Sequence, residues 1–307
     1  MIRMGLCCIF VNAPIKFRRT TATYQSGFQP AEQRRRLAEI CLHNARALAQ
    51  ALNYCRDAGI GAFRINSQIL PLITHPNQGY EINDLPGHQR IIDAFRQCGE
   101  FAKRYDIRTS FHPDQFVVIA SPRAHVRQKS LEELIYQSMV AEWVGADVIN
   151  IHAGGAYGDK KTSLKRLMSI IQGLPDAIAD RLTLENDDRT YSPSDLLPVC
   201  KGVGVPLTYD VHHHRCLPDD LTVDAATRAA LETWQREPLF HLSSPLSRPA
   251  EGMDRRHAAY IDVSDFPQAW KHLEITVDVE AKAKELAVEK LKQDLDDLFP
   301  VSWRTRR

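Results

Sequence analysis

Six apolar runs along this chain end in a histidine or an acidic residue, and in the clearest case the run 182–184 is followed directly by Glu185. A carboxylate is costly to bury unless it is paired with a cation or binds a metal. An apolar strand that stops at such a residue therefore indicates a functional site at the strand end. The six residues at the run ends are His112, His152, Glu185, Asp210, His241 and Glu280.

These six residues, together with His213 and His257, form the predicted metal-ligand set. Imidazole and carboxylate donors without a thiolate favour Mn, Zn, Mg or Fe over a cysteine-based structural zinc site. One ion takes about four to six ligands, so the set is too large for one ion and indicates two or three with bridging carboxylates. Such a cluster is typical of phosphoester hydrolysis. A metal-dependent sugar isomerase is the main alternative, and it would also need a lysine or histidine partner for the hydride or proton shift.

Helix-like segments separate the apolar runs and make eight strand–helix alternations. Crossover helices between strands imply a parallel sheet, and eight units favour a closed α/β barrel, the (β/α)8 or TIM barrel, with its site at the carboxyl ends of the strands. We expect a single domain over residues 1–300 and a basic tail over 301–307. Strands are predicted at 2–11, 61–65, 107–111, 147–151, 181–184, 205–209, 238–240 and 275–279. Helices are predicted at 31–57, 88–105, 124–144, 160–179, 192–202, 222–236, 265–273 and 280–298.

The composition limits the classes of partner and compartment. Lysine and arginine number 39 against 38 acidic residues, so the formal charge is +1 and any attraction to phosphate must be local. Seven cysteines without a C-x-x-C spacing predict reduced core thiols in a cytosolic protein. The N-terminal apolar run is too short for a signal peptide, and no run reaches the ~18 apolar residues of a membrane helix. We therefore expect a soluble, cytoplasmic protein that does not bind membranes.

The motifs around the run ends resemble those of the UV damage endonuclease family. The match runs in order from the first strand to the last helix, over about nine-tenths of the chain. The motifs are FHPDQF (111–116), IHAGGAYGDK (151–160), LENDDR (184–189), YDVHHH (209–214), HLSSP (241–245), RHAAYI (256–261) and DVEAKAKE (278–285). The family is a metal-dependent barrel related to endonuclease IV. The resemblance implies a repair enzyme that nicks DNA immediately 5′ of cyclobutane pyrimidine dimers and 6-4 photoproducts, leaving a 3′-hydroxyl and a 5′-phosphate.

The resemblance also implies roles for the predicted ligands. One ion would be held by His112, His152 and Glu185. A second would share Glu185 and use Asp210, His241 and Glu280, and a third would use His213 and His257. Glu185, Glu280 and His241 are the residues expected to be catalytic, and manganese is the favoured ion, with Mg, Zn or Co as alternatives.

Double-stranded DNA carrying UV lesions is the implied partner, bound by a monomer associated with the nucleoid. Gln115 and Phe116 fall where the family inserts a Gln–Tyr pair into the duplex, and an aromatic wedge suits a lesion that is already poorly stacked. The predicted DNA- and lesion-binding residues are Gln115, Phe116, Tyr157, Lys160, Arg189, Arg256 and Lys282. Further basic candidates are Lys16, Arg18, Arg19, Lys161, Arg215, Arg255 and Lys284.

Three positions depart from the family pattern. Leu239 stands where members can carry a lysine two residues before the seventh-strand histidine, Ala258 stands where an acidic residue is common, and the first strand reads LCCIF over 6–10. The departures leave open an altered lesion range, an AP-endonuclease-like phosphodiesterase, or a DNA-binding barrel that has lost its metal.

Overall fold

The computed structural model describes residues 1–248, 250, 252–298 and 302–304, and it contains one eight-stranded parallel sheet. The strands follow the order β6-β5-β4-β3-β2-β1-β8-β7. A bridge between Asp210 and His241 joins the two ends, with the His241 N–H donating to the Tyr209 carbonyl at 3.0 Å, so the sheet closes. The predicted (β/α)8 barrel is confirmed. The strands are β1 Ile2–Cys7, β2 Ala62–Ile65, β3 Arg108–Phe111, β4 Val148–His152, β5 Leu182–Glu185, β6 Leu207–Thr208, β7 Leu239–Leu242 and β8 Ile275–Val279.

Helices surround the barrel and bury one face each against it. Two helices begin with recognisable capping residues. Asp159 accepts the Lys161 N–H at 3.0 Å at the start of one helix. Ser192 and Asp195 form a capping box at the start of another, with Pro193 in its first turn. The helices are α1 Ala22–Gln25, α2 Pro30–Asp57, α3 His88–Arg104, α4 Ala124–Val144, α5 Lys160–Ile171, α6 Asp176–Ala179, α7 Pro193–Val203, α8 Val211–Cys216, α9 Val223–Leu231 and α10 Glu285–Leu298. Short 3-10 turns lie at Ile82–Asp84, Val263–Asp265 and Gln268–His272.

Several predicted bounds are wrong for local reasons. β1 ends at Cys7 because Cys8 adopts a φ of 71° and donates its N–H to the Arg64 carbonyl at 3.0 Å, which turns the chain away from the sheet. The helix expected over 160–179 breaks into α5 and α6, because Gly173 and Pro175 interrupt it. The apolar spacing of α4 predicts Ile135 on its inner face, but that side chain is 50% exposed.

A charged network closes the amino-terminal end of the barrel. Arg3 Nε lies 2.8 Å from a Glu237 carboxylate oxygen, and Arg108 pairs with Asp147 at 2.8 Å. The Thr276 hydroxyl donates to Glu237 at 2.6 Å. The network ties strands from opposite sides of the barrel together and leaves the carboxyl end free to build a site.

The C-terminal residues that are described pack against this base. The Ile2 N–H donates to the Ser302 carbonyl at 2.8 Å, and Arg304 pairs with Glu237 at 2.7 Å. The remainder of the predicted tail, residues 301 and 305–307, lies outside the described residues. Within the described part, none of the helices is both long and apolar enough to cross a bilayer.

Candidate metal centre

All six strand-end residues converge at the carboxyl mouth of the barrel. His152 and Glu185 are the last residues of β4 and β5, and His241 lies within β7. His112, Asp210 and Glu280 each follow their strand within two residues, where the chain leaves the sheet. Glu185, Asp210 and His241 are almost completely buried. Since parallel strands present their ends at one edge, the barrel itself brings the ligand set together.

Glu185 is the centre of this arrangement. Its Oε2 atom lies 2.8 Å from His112 Nε2, and its Oε1 atom lies 3.2 Å from both His213 Nδ1 and His241 Nδ1. The side-chain amide of Asn150 donates to Oε2 at 2.5 Å, and the Thr183 hydroxyl donates to the other end of that amide at 2.8 Å. The Asn150 amide therefore fixes the carboxylate by a hydrogen bond, and the imidazoles of three histidines surround it.

Asn186 and Asp210 position the next histidine. The Asn186 amide exchanges two hydrogen bonds with the Asp210 backbone, at 2.8 and 3.0 Å. Asp210 then caps α8 by accepting the His213 N–H at 2.7 Å, which holds His213 in the first turn of that helix. The sequence did not predict α8, because a six-residue helix rich in histidine carries no apolar period.

Among the residues that the structure describes, three groups of side chains could each hold an ion, and in each group the ligand atoms all lie within 4.8 Å of one another. The groups are His112–His152–Glu185, His112–His241–Glu280 and Glu185–Asp210–His213. His257 belongs to none of the three; its Nδ1 lies 3.7 Å from Glu280, and its ring centre is 6.3 Å from that of His213. Among the described residues, His213 is thus grouped with Glu185 and Asp210, whereas the resemblance implied a pairing with His257.

The donor set fits divalent cations. Buried polar atoms in a folded protein nearly always have a partner. Here His152 Nδ1, Glu185 Oε1, Asp210 Oδ2 and both ring nitrogens of His241 are buried without a hydrogen bond to any described residue. Carboxylate and imidazole atoms left in this state at one mouth are the expected signature of a metal centre.

The electrostatics of the centre agree with this assignment. Burial raises the pKa of the Glu185 carboxyl, but the imidazoles of His241, His152 and His112 together lower it well below its usual value. Burial lowers the pKa of His241, but Glu185 and Glu280 raise it to about 9. Carboxylates that retain protons on imidazoles this strongly would also attract a divalent cation, which displaces those protons.

Two buried charged residues next to the centre were not predicted. Arg64 of β2 lies with its Nη2 atom 2.6 Å from Glu280 Oε1, and its Nε atom lies 4.0 Å from Asp278 of β8. Both side chains point into the barrel from the middle of apolar strands. A charged residue inside a short apolar run is the signal that could have revealed them.

The rim around the centre carries the predicted DNA-binding residues, and all of them are exposed. Phe116 is 78% exposed on the loop after β3, next to exposed Gln115, and Tyr157 is 45% exposed on the loop after β4. Lys160 pairs with Asp195 at 2.8 Å, and Arg189 lies 3.6 Å from Asp188. These side chains therefore surround the mouth but do not enter it.

A basic cavity of about 450 Å³ opens beside Glu280. Its cationic lining consists of Arg64, Arg255, Arg256, Lys282 and Lys284, with His257 at the edge. Arg255 pairs with Asp188 at 3.4 Å and Arg256 with Asp254 at 2.9 Å. The local positive charge that the net charge of +1 did not reveal is concentrated here.

Comparison with known proteins identifies relatives over nearly the whole chain. The family model described as UV-endonuclease UvdE matches residues 2–303. A UV DNA damage endonuclease from Bacillus velezensis is 34% identical over 306 residues, covering 94% of this chain and 91% of that protein. One from Bacillus cereus is 31% identical over 289 residues, covering 90% of this chain and 88% of that protein.

Solved structures agree with the fold. The crystal structure of SacUVDE superposes with a TM-score of 0.86 at 27% identity and covers 97% of this chain and 99% of that one. Endonuclease IV from Thermus thermophilus matches with a TM-score of 0.60 at 14% identity, covering 96% of this chain and 98% of that one, which shows a shared barrel.

Proposed function

The chain belongs to the UV-endonuclease UvdE family, and from this premise we propose that it cuts one phosphodiester immediately 5′ of a UV photolesion. Membership of this family makes the chain a UV DNA damage endonuclease. The products of the proposed reaction are a 3′-hydroxyl and a 5′-phosphate. Cyclobutane pyrimidine dimers and 6-4 photoproducts in double-stranded DNA are the proposed lesions, and the enzyme acts as a monomer.

Two or three divalent ions would be held by the three groups of ligands at the barrel mouth, with manganese favoured. Such ions, when bound, lower the pKa of a water molecule and neutralise the negative charge of a phosphodiester. Glu185 belongs to two of the groups and would bridge two ions. His241 and Glu280 complete the ligation on the side of β7 and β8, while Asn150 and Asn186 keep Glu185 and Asp210 oriented.

DNA binding would use the exposed rim. Cations in the basic cavity would contact phosphates on one side of the mouth, and this contact positions the strand without reading its sequence. Phe116 and Gln115 would enter the duplex at the lesion from the opposite loop. An exposed aromatic ring is costly to leave in water, and stacking against bases that have lost their own neighbours supplies a partner for it.

The observation that best supports the proposal is the position of Glu185, whose two carboxylate oxygens face three histidines: one after β3, one in α8 and one in β7. The test compares a duplex containing one pyrimidine dimer with the same duplex undamaged, in Mn²⁺ and after chelation. We expect incision only of the damaged strand and only with metal. A folded, metal-loaded protein that cuts neither duplex, or both equally, would refute the proposal.

The sugar isomerase alternative makes a different prediction for the rim. Turnover of a small sugar would not need Gln115 or Phe116, so an activity on sugars that survives alanine at both positions would favour it. Solved structures named as epimerases share the barrel at 11–16% identity, which shows the fold alone.

A further inference from the structure

Asp278 carries a buried carboxylate inside the barrel. It is 0% exposed, and neither of its oxygens forms a hydrogen bond with any residue in the described ranges. Its nearest charged neighbours are His241 Nε2 at 3.9 Å and Arg64 Nε at 4.0 Å, both measured to Oδ2. An isolated carboxylate in such a place is costly, so its retention requires an explanation.

The His241 ring likewise lacks a hydrogen bond to any described residue. Its Nδ1 atom faces the metal centre, 3.2 Å from Glu185 Oε1 and 3.5 Å from Glu280 Oε1. Its Nε2 atom points to the opposite side, towards Asp278, and forms no hydrogen bond with any residue that the structure describes. In His112 the equivalent outer nitrogen is satisfied, because Nδ1 lies 3.0 Å from the Pro113 carbonyl while Nε2 faces Glu185.

We infer that Asp278 is a positioning residue for His241: its carboxylate accepts the Nε2–H of the ring and holds Nδ1 as the face that binds a divalent ion. A histidine that binds a metal almost always donates its other ring N–H to a carboxylate, a carbonyl or water. The pair stands 3.9 Å apart, and a hydrogen bond of about 2.9 Å requires the two side chains to approach by roughly 1 Å or to share one water. The inference rests on the metal centre of the proposed function.

The surroundings of Asp278 are built to keep the carboxylate in this place. Gly5 of β1 lies opposite it in the sheet register, and a Cβ atom at Gly5 would stand 2.0 Å from Oδ1. Arg64 supplies positive charge to both Asp278 and Glu280. The space at Gly5 and the positive charge of Arg64 therefore allow the Asp278 carboxylate to stay buried beside His241.

The test is a titration of the full-length, chelator-stripped protein with Mn²⁺, followed by electron paramagnetic resonance, for wild type and Asp278→Asn. Loss of such an outer partner costs about 10- to 100-fold in metal affinity, and we expect a weakening in this range. Without metal the variant should melt at the wild-type temperature or above it, because a buried charge has been removed. The rise in melting temperature on adding Mn²⁺ should be smaller in the variant than in wild type.

Val277→Ala is the matched control, since it lies next in β8, is fully buried and faces away from the site residues. It should lower the melting temperature and leave the affinity for Mn²⁺ unchanged. A spectroscopic measurement covers a variant that fails to fold: in the wild-type protein loaded with Zn²⁺, the Nε2–H proton of His241 should be shifted downfield and protected from exchange.

The possible outcomes separate this inference from the proposed function. Equal affinities of wild type and Asp278→Asn for Mn²⁺ would overturn the inference and leave the proposed metal centre standing. A variant that keeps its affinity but melts well below wild type assigns Asp278 a structural role and also overturns it. Wild type that binds no Mn²⁺ overturns both.

Discussion

Lys282 and Lys284 give the sharpest prediction about DNA binding. Both line the basic cavity beside Glu280, and among the described residues neither forms an ion pair, whereas Arg255 and Arg256 are already paired with acidic residues. Their charge is therefore available to a phosphate. We predict that the double variant Lys282→Gln, Lys284→Gln binds DNA more weakly and with a weaker dependence on salt.

The magnitude follows from counterion release. Each phosphate contact adds about 0.9 to the slope of log affinity against log salt, so losing both should reduce the slope by about 1.8. Between 50 and 200 mM salt, wild type should therefore lose about 12-fold more affinity than the double variant. Fluorescence anisotropy on a lesion-containing duplex, in metal-free buffer so that the DNA stays intact, measures both slopes.

The control is Lys103→Gln, Lys201→Gln, which removes the same charge from the C-terminal turns of α3 and α7. Helices of this barrel run opposite to the strands, so these lysines lie at the far end from the mouth. Their removal should leave the slope unchanged. Equal slopes for wild type and the Lys282 and Lys284 variant, or an equal fall in the control, would refute the assignment of phosphate contacts to the cavity.

Three further variants test other parts of the account. Glu185→Gln should reduce single-turnover incision by about 1000-fold or more while DNA binding persists, and near-normal incision would contradict the shared carboxylate. Phe116→Ala should reduce the preference for damaged over undamaged duplex by about 1–3 kcal/mol of binding free energy, the contribution of one stacked base. An unchanged ratio of the two affinities, measured by anisotropy, would exclude insertion of Phe116 into the duplex. Burial raises the pKa of Glu237, but hydrogen bonds from Arg3 and Thr276 lower it to about 2 from 4.5. Because the pKa of Glu237 is lower in the folded state, its ionised carboxylate stabilises the fold above pH 4.5, and this contribution is lost as the pH falls towards 2. Over that interval, the free energy of urea unfolding should fall by up to roughly 3 kcal/mol more in wild type than in Glu237→Gln. An equal fall in the two proteins would contradict this role of Glu237.

The barrel, and the convergence of the strand-end residues on one mouth, could be predicted because strand ends in a parallel barrel share one face. His152, Glu185 and His241 each terminate or nearly terminate an apolar run, and this pattern is readable along the chain. The apolar period of the sequence over α2 predicts Leu48 and Cys55 on one inner face of that helix, and both side chains are buried.

The partition of ligands into groups could not be predicted from spacing. Whether His213 faces Glu185 or His257 depends on α8, which Asp210 caps, and a cap acting through one side chain leaves no periodic signal. Arg64 and Asp278 were not predicted as site residues for a related reason. Each lies within a short strand, and only the closed barrel shows that β2 and β8 bring Arg64 Nε to 4.0 Å from Asp278 Oδ2.

The most direct test of the account is to map both ends of the nick made in a duplex with a single cyclobutane pyrimidine dimer in the presence of Mn²⁺. We predict one cut immediately 5′ of the dimer, with a 3′ end that a DNA polymerase extends without processing and a 5′ end that ligase accepts. A cut at another phosphodiester, a blocked 3′ end, or intact DNA in the presence of folded and metal-loaded protein would contradict it.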